Sequence, residues 1–175
     1  MCYLCVMRKI IFLDIDGPLA WGTWMDGRIK INDNLTIRYP WVKEDCDALT
    51  TILEQTGAQI VLSSDWKYHY PLPQMKEIMD YYGIPSDTLI DHTTKTATKV
   101  KMSSSQAMDR ANEIIQWLKE NKVKKNWVAI DDLELGNGFS HFKYPKYRHV
   151  QVDGDHGYGG KLRDKVELIV KILNK

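Results

Sequence analysis

Cysteine is scarce in this sequence, long apolar runs are missing, and neither sign of charge prevails. Three cysteines in 175 residues cannot all pair, which excludes a fully paired disulfide framework and suits a reducing compartment. Cys2 and Cys5 have metal-ligand spacing, but no second Cys or His pair completes a zinc site at the usual spacing. No apolar stretch approaches the roughly 20 residues needed to cross a bilayer. Arg8 and Lys9 follow the N-terminal apolar residues rather than precede them, the wrong order for a secretory signal, so the expected location is the cytoplasm without a membrane partner. Met7, directly ahead of the first apolar run, offers an alternative translation start. With 24 basic residues against 23 acidic ones the formal charge is +1. No global polycation therefore attracts nucleic acid, and any such contact has to come from a local patch.

What is present is concentrated at the ends of three short apolar runs. Ile10-Ile11-Phe12-Leu13 ends in Asp14-Ile15-Asp16-Gly17. Two carboxylates one residue apart at the end of a buried strand are costly unless a cation or a catalytic task uses them. The spacing invites Mg²⁺, with one aspartate acting as a nucleophile toward phosphorus and the other shuttling a proton. An isolated Asp-x-Asp-Gly reads equally as a strand followed by a turn, and two other segments bear on the choice. Ile60-Val61-Leu62 ends in Ser63-Ser64-Asp65-Trp66, where a hydroxyl can donate to a phosphate oxygen. Trp127-Val128-Ala129-Ile130 ends in Asp131-Asp132. Ligands of open α/β sheets bind outside the carboxyl ends of the strands, so three such runs can meet at one crevice.

The periodicity predicts strands at 8–14, 58–63, 88–90, 127–131 and 148–152, and helices at 43–56, 74–82, 106–121 and 161–173. This alternation implies a three-layer α/β, Rossmann-like fold with a mainly parallel sheet, a single domain over 1–175 that buries about 70% of its unfolded surface. A short insert at about 18–43 contains Trp24-Met25-Asp26-Gly27-Arg28-Ile29, read as a hairpin flap with an Asp-Gly turn. No internal repeat or low-complexity linker stands out.

At Asp14, Asp16 and Gly17, at Ser63, and at Asp131 and Asp132, in that order, the chain resembles the haloacid dehalogenase superfamily of aspartate-dependent phosphatases. The third motif of that superfamily is a lysine or arginine ahead of the last motif strand. Arg110, which opens an amphipathic segment with apolar residues at 111, 114, 115 and 118, is the residue assigned here. Lys99 and Lys101 compete for the role. The resemblance covers most of the chain and is strongest with small, often phage or bacterial, members related to nucleic-acid repair phosphatases, and looser with 5'(3')-deoxyribonucleotidases. It implies that Asp14 forms an aspartyl-phosphate and that Asp16 acts as acid, then base. Ser63 and Arg110 would hold the phosphate, Asp131 would complete a Mg²⁺ site with Asp14 and the Asp16 carbonyl, and Asp132 would support the metal shell. Ile15, Ser64, Trp24 and Trp66 are expected substrate contacts. Pro18 departs from the superfamily pattern, which usually has Thr or Val there, and it removes an N–H from the turn leading to the flap.

A flap of this size covers a phosphate but scarcely encloses a large metabolite. An open site suits a phosphorylated small molecule or a nucleic-acid end, with Trp21, Trp24 or Trp41 available to stack on a base. Phe142-Lys143-Tyr144-Pro145-Lys146-Tyr147-Arg148-His149 interleaves cations with aromatics, which suits either a single-stranded nucleic-acid surface or a solvated loop. Asp153-Gly154-Asp155-His156-Gly157-Tyr158-Gly159-Gly160 is acidic and glycine-rich, a loop near the strand ends that would repel phosphate. The expected function is a Mg²⁺-dependent phosphomonoesterase. The alternative is a catalytically silent nucleic-acid or protein binding module on the same fold.

Overall fold

The computed structural model describes residues 8–21, 27–95, 105–154 and 159–175. In chain order it contains β1 (Ile10–Leu13), β2 (Ile29–Asn32), β3 (Leu35–Ile37), α1 (Lys43–Thr56), β4 (Gln59–Leu62), α2 (Leu72–Tyr81), β5 (Leu89–His92), α3 (Gln106–Glu120), β6 (Trp127–Asp131), α4 (Gly136–His141), β7 (His149–Gln151) and α5 (Val166–Leu173). Five strands form one sheet in the order β5-β4-β1-β6-β7, and every pairing is parallel. Because strand side chains alternate between faces, the apolar run of β1 feeds two cores. Ile11 and Leu13 pack with α1, α2 and α5 through residues such as Leu49, Ile78 and Ile172. Ile10 and Phe12 pack with Ile114, Trp117 and Leu118 of α3 and with Phe139 of α4. Helices thus cover both faces, the three-layer arrangement that keeps a parallel sheet from water. Among the described residues no helix is long and apolar enough to cross a membrane.

The described part of the flap is an antiparallel hairpin of β2 and β3 that reverses at Asp33-Asn34, while residues 24–26 of the expected Asp-Gly turn lie outside the described ones. The apolar residues at 29, 31, 35 and 37 straddle that reversal, and the Asn34 N–H donates to the Asn32 side chain at 2.9 Å, an Asx turn that needs no glycine. Pro18 proves compatible with the preceding turn, whose hydrogen bonds come from the N–H groups of Gly17, Leu19 and Ala20.

Two differences from the predicted elements have local causes. The predicted helix at 161–173 is split into a 3-10 turn at Leu162–Asp164 and α5. The backbone and guanidinium of Arg163 all donate to the buried Asp45 carboxylate, at 3.0–3.1 Å, which ties this turn to α1 before the helix can start. Helix α4 has no helix-forming sequence, since Gly136 and Gly138 both disfavour it. It forms because α4 presses against α3 at Gly138, where a Cβ would fall 2.6 Å from that of Ala111.

Candidate active site

The parallel register brings the three polar strand ends together. Leu13 pairs with Leu62 on one side and with Ile130 on the other, so the next residues, Asp14, Ser63 and Asp131, stand side by side at the carboxyl edge. The ladder continues through Asp14 N–H to the Ile130 carbonyl at 2.9 Å and Ser63 N–H to the Leu13 carbonyl at 2.8 Å. With β4 and β6 flanking β1, this edge is where the strand order switches direction, the usual binding crevice of such sheets. Gly17 then turns with φ +89° and lets Asp132 close in, because a Cβ there would lie 2.5 Å from the Asp132 Cβ.

Arg110 enters this edge from α3. Its Nη1 lies 3.3 Å from Asp14 Oδ2 and 3.0 Å from Asp131 Oδ2, and it also donates to the Ser63 carbonyl. Its Nη2 is 3.5 Å from Asp65. One helical turn on, Glu113 accepts from Lys67 at 2.7 Å and from Thr93 at 3.1 Å, a buried ion pair that fixes α3 against the segment following Ser63. The sequence signal for that pair was available, since Glu113 lies on the same helix face as Arg110.

One oxygen each of Asp14, Asp131 and Asp132 lie within 4.8 Å of one another, close enough to share a metal ion. Burial raises the Asp14 pKa to about 7 against the opposing pull of Arg110 and the Ser64 hydroxyl, with Asp132 and Asp16 pushing the same way as burial. Asp131 is raised well above the ordinary carboxylate value, by burial first and by Asp14 next. Asp132 is raised too, again mainly by burial. A single guanidinium does not neutralise this set, and a hard divalent cation suits its oxygen donors. The three side chains therefore fit Mg²⁺.

This has a measurable consequence. A carboxyl whose folded pKa lies above its unfolded value holds its proton better when folded, so its contribution to stability falls as pH rises from about 4 to about 7. In EDTA, the Tm of Asp14→Asn relative to wild type should therefore climb between pH 5 and pH 8. Mg²⁺ should stabilise wild type most at the upper end of that range, because the metal displaces protons as it binds. A Tm difference independent of pH would contradict this account of Asp14.

Residues 10–158 match the family described as the HAD domain in Swiss Army Knife RNA repair proteins. The chain belongs to that haloacid dehalogenase family. Neither the curated proteins nor the solved structures yield a match. Family membership carries a phosphatase or hydrolase type of activity, and haloacid dehalogenase domains generally use Mg²⁺.

In this haloacid dehalogenase domain the remaining expected residues take different positions. Ser63 is buried, and its hydroxyl has no partner among the described residues, which is what a donor reserved for a ligand oxygen looks like. Ser64 is fully buried, caps the 3-10 turn Asp65–Tyr68 by accepting from the Trp66 N–H at 3.4 Å, and its hydroxyl opposes the rise in the Asp14 pKa. The Ile15 N–H donates to Asp14 Oδ1 at 2.8 Å. Trp66 is buried, and its indole N–H donates to Asp16 Oδ1 at 2.9 Å. The phenol of Tyr39 donates to the same oxygen. Asp16 therefore directs Oδ1 at Tyr39 and Trp66, while the acidic cluster is made of Asp14, Asp131 and Asp132; the part that the sequence reading gives Asp16 at the metal is its backbone carbonyl. Tyr39 was not legible as a site residue, because nothing in Arg38-Tyr39-Pro40-Trp41 has a catalytic pattern. Trp24, Lys99 and Lys101 lie outside the described residues, as do Cys2, Cys5 and Met7.

Two of the three candidates for base stacking have partners within the fold. Trp41 is buried and stacks on Tyr82 at 5.1 Å, and the Trp21 indole donates to Asp45 with Lys161 over its ring at 4.8 Å. In the 142–149 run Lys143 and Lys146 are exposed, while Arg148 is buried and donates to the carbonyls of Trp127 and Ile172. Trp127 begins β6 and Asp131 ends it, so this contact lies about 13 Å from the site at roughly 3.3 Å per residue, at the opposite edge of the sheet. The acidic loop begins beside the site: Gly154 N–H reaches the Gly17 carbonyl at 3.2 Å, and Asp153 adds negative charge near Asp132. Its residues 155–158 lie outside the described ones.

Proposed function

We propose that the protein is a Mg²⁺-dependent phosphomonoesterase that removes the terminal phosphate from a nucleotide or, in keeping with the RNA repair proteins of its family, from an RNA end. The observation that carries this reading is the meeting of Asp14, the Ser63 hydroxyl and the Arg110 guanidinium at one strand edge, beside carboxylates that suit a divalent cation. Asp14 attacks phosphorus, and the bond from phosphorus to the ester oxygen breaks as Asp16 delivers a proton to the departing alcohol. Asp16 then takes a proton from water, which attacks the aspartyl-phosphate and returns Asp14 with release of orthophosphate. Ser63 and Arg110 hold the phosphoryl oxygens through both steps. Asp14, Asp131 and the Asp16 carbonyl, with Asp132 in support, would hold Mg²⁺, which when bound would offset the charge on the phosphate. The expected setting is the cytoplasm, where the buried thiol of Cys46 stays reduced.

The test is a substrate panel run with Mg²⁺ and with EDTA. It comprises p-nitrophenyl phosphate, nucleoside 3'- and 5'-monophosphates, sugar phosphates, and oligoribonucleotides with a 3'- or 5'-terminal phosphate. The expected result is metal-dependent release of orthophosphate with kcat/KM highest on an oligonucleotide end. Preference for sugar phosphates would overturn the substrate assignment. No turnover on any member, with retained oligonucleotide binding, would leave the silent binding module.

A further inference from the structure

Asp16 is held in an unusual way. Both of its side-chain hydrogen bonds among the described residues fall on Oδ1, one from the Tyr39 hydroxyl and one from the Trp66 indole at 2.9 Å. A carboxylate is nearly two-fold symmetric about its last torsion, so two donors on one oxygen fix which oxygen is left over. The donors are themselves confined. Trp66 meets the Tyr39 ring edge-on at 5.8 Å, the Trp41 ring at 5.7 Å and the Tyr70 ring at 5.2 Å. Trp41 is in turn stacked on Tyr82, the residue that follows α2. Tyr39 lies two residues after β3, so one donor arrives from the flap insert and the other from the turn after Ser63.

We propose that Tyr39 and Trp66 are positioning residues for proton transfer: by occupying Oδ1 together they present Oδ2 of Asp16 to the leaving-group oxygen and then to the attacking water. The inference rests on the reading of Asp16 as the acid and base. On it, the flap contributes to the chemistry through Tyr39, besides whatever cover it gives the phosphate.

The experiment compares wild type, Tyr39→Phe, Asp16→Asn and the double variant over a series of phosphate esters from alkyl phosphates through phenyl and p-nitrophenyl to 2,4-dinitrophenyl phosphate. The quantity read is kcat/KM, which reports the step in which the alcohol leaves. Tyr39→Phe keeps the ring that packs on Trp66 and deletes one hydrogen bond to a charged group, so the expected loss is about 10- to 100-fold on alkyl esters. On 2,4-dinitrophenyl phosphate, which needs no proton to leave, the loss should shrink to within about threefold. In the Asp16→Asn background Tyr39→Phe should add almost nothing, since it acts through that carboxyl. Trp66→Phe, which also keeps an aromatic ring, should show the same leaving-group dependence. An equal loss across the series, or a full additional loss in the Asp16→Asn background, would overturn the inference while leaving the phosphatase reading in place. A wild type without turnover on any ester would overturn that reading and the inference with it.

Discussion

Asp14→Asn is expected to lower turnover by at least about 10³-fold in a protein that remains folded. The amide cannot attack phosphorus, and it removes one of the three carboxylates that suit the cation, so nucleophile and metal site fail together. The fold should survive because the change preserves shape. Oδ1 of Asp14, which accepts the Ile15 N–H, can be replaced by the amide oxygen. The pKa of about 7 says that the charged form of Asp14 is disfavoured where it sits, so its neutral substitute relieves rather than creates strain in the metal-free protein. The measurement is single-turnover and steady-state hydrolysis of p-nitrophenyl phosphate beside a thermal melt. More than a tenth of wild-type activity in folded Asp14→Asn would remove Asp14 from the role of nucleophile.

Much of the architecture that positions Asp14 could be read along the chain, because the informative signals were local. Continuous apolar runs at 10–13, 60–62 and 127–130 have the length and β-branching of buried strands, and α1 ends at Thr56, just before Gly57. Parallel pairing then places residues that follow such runs at a common edge, which is why Asp14, Ser63 and Asp131 could be grouped before any contact was seen. The reversal at Asp33-Asn34 was harder to read, because Asp-Gly drew the turn reading while the alternation of Ile29, Ile31, Leu35 and Ile37 and the Asx bond of Asn32 set this hairpin.

The parts that escaped depend on packing between distant segments. Nothing near Tyr39 or Trp66 shows that a flap residue and a residue after β4 will both donate to Asp16. Two aromatic side chains with polar tips, Trp66 buried and Tyr39 half-buried beside a carboxylate, satisfy it at low entropic cost, but only the folded chain shows where the carboxylate is. Arg148 is the converse case. Its place among tyrosines and lysines resembles a nucleic-acid surface, yet its guanidinium is buried under β6 and α5, where it meets carbonyl groups. Composition cannot separate these uses, because the same planar group of donors serves a phosphate or a backbone.

Arg110→Ala tests the other large contribution to the site. Its guanidinium is buried against Asp14, Asp131 and the Ser63 carbonyl, so its removal leaves carboxylates without their cation in a site where burial already raises their pKa values. Breaking one side of a buried pair costs about 3–5 kcal/mol of stability, though here protonation of Asp14 and bound Mg²⁺ should recover part of it. The loss in kcat/KM should reach about 10²- to 10³-fold, since the phosphoryl charge it opposes is largest in transit, and inhibition by orthophosphate or vanadate should weaken in parallel. Arg110→Lys should regain only part of the activity, because an ammonium in place of Nη1, which meets Asp14, Asp131 and the Ser63 carbonyl, leaves no second nitrogen at the position of Nη2 to donate to a phosphoryl oxygen. Lys99→Ala and Lys101→Ala should be near neutral. Melting each variant with and without Mg²⁺ separates the two losses: Arg110→Ala should be rescued in stability by the metal and not in turnover. Wild-type kinetics in Arg110→Ala, with a collapse in Lys99→Ala or Lys101→Ala, would transfer the phosphate-holding role to that lysine and leave Arg110 as the buried counter-charge that keeps Asp14 and Asp131 together.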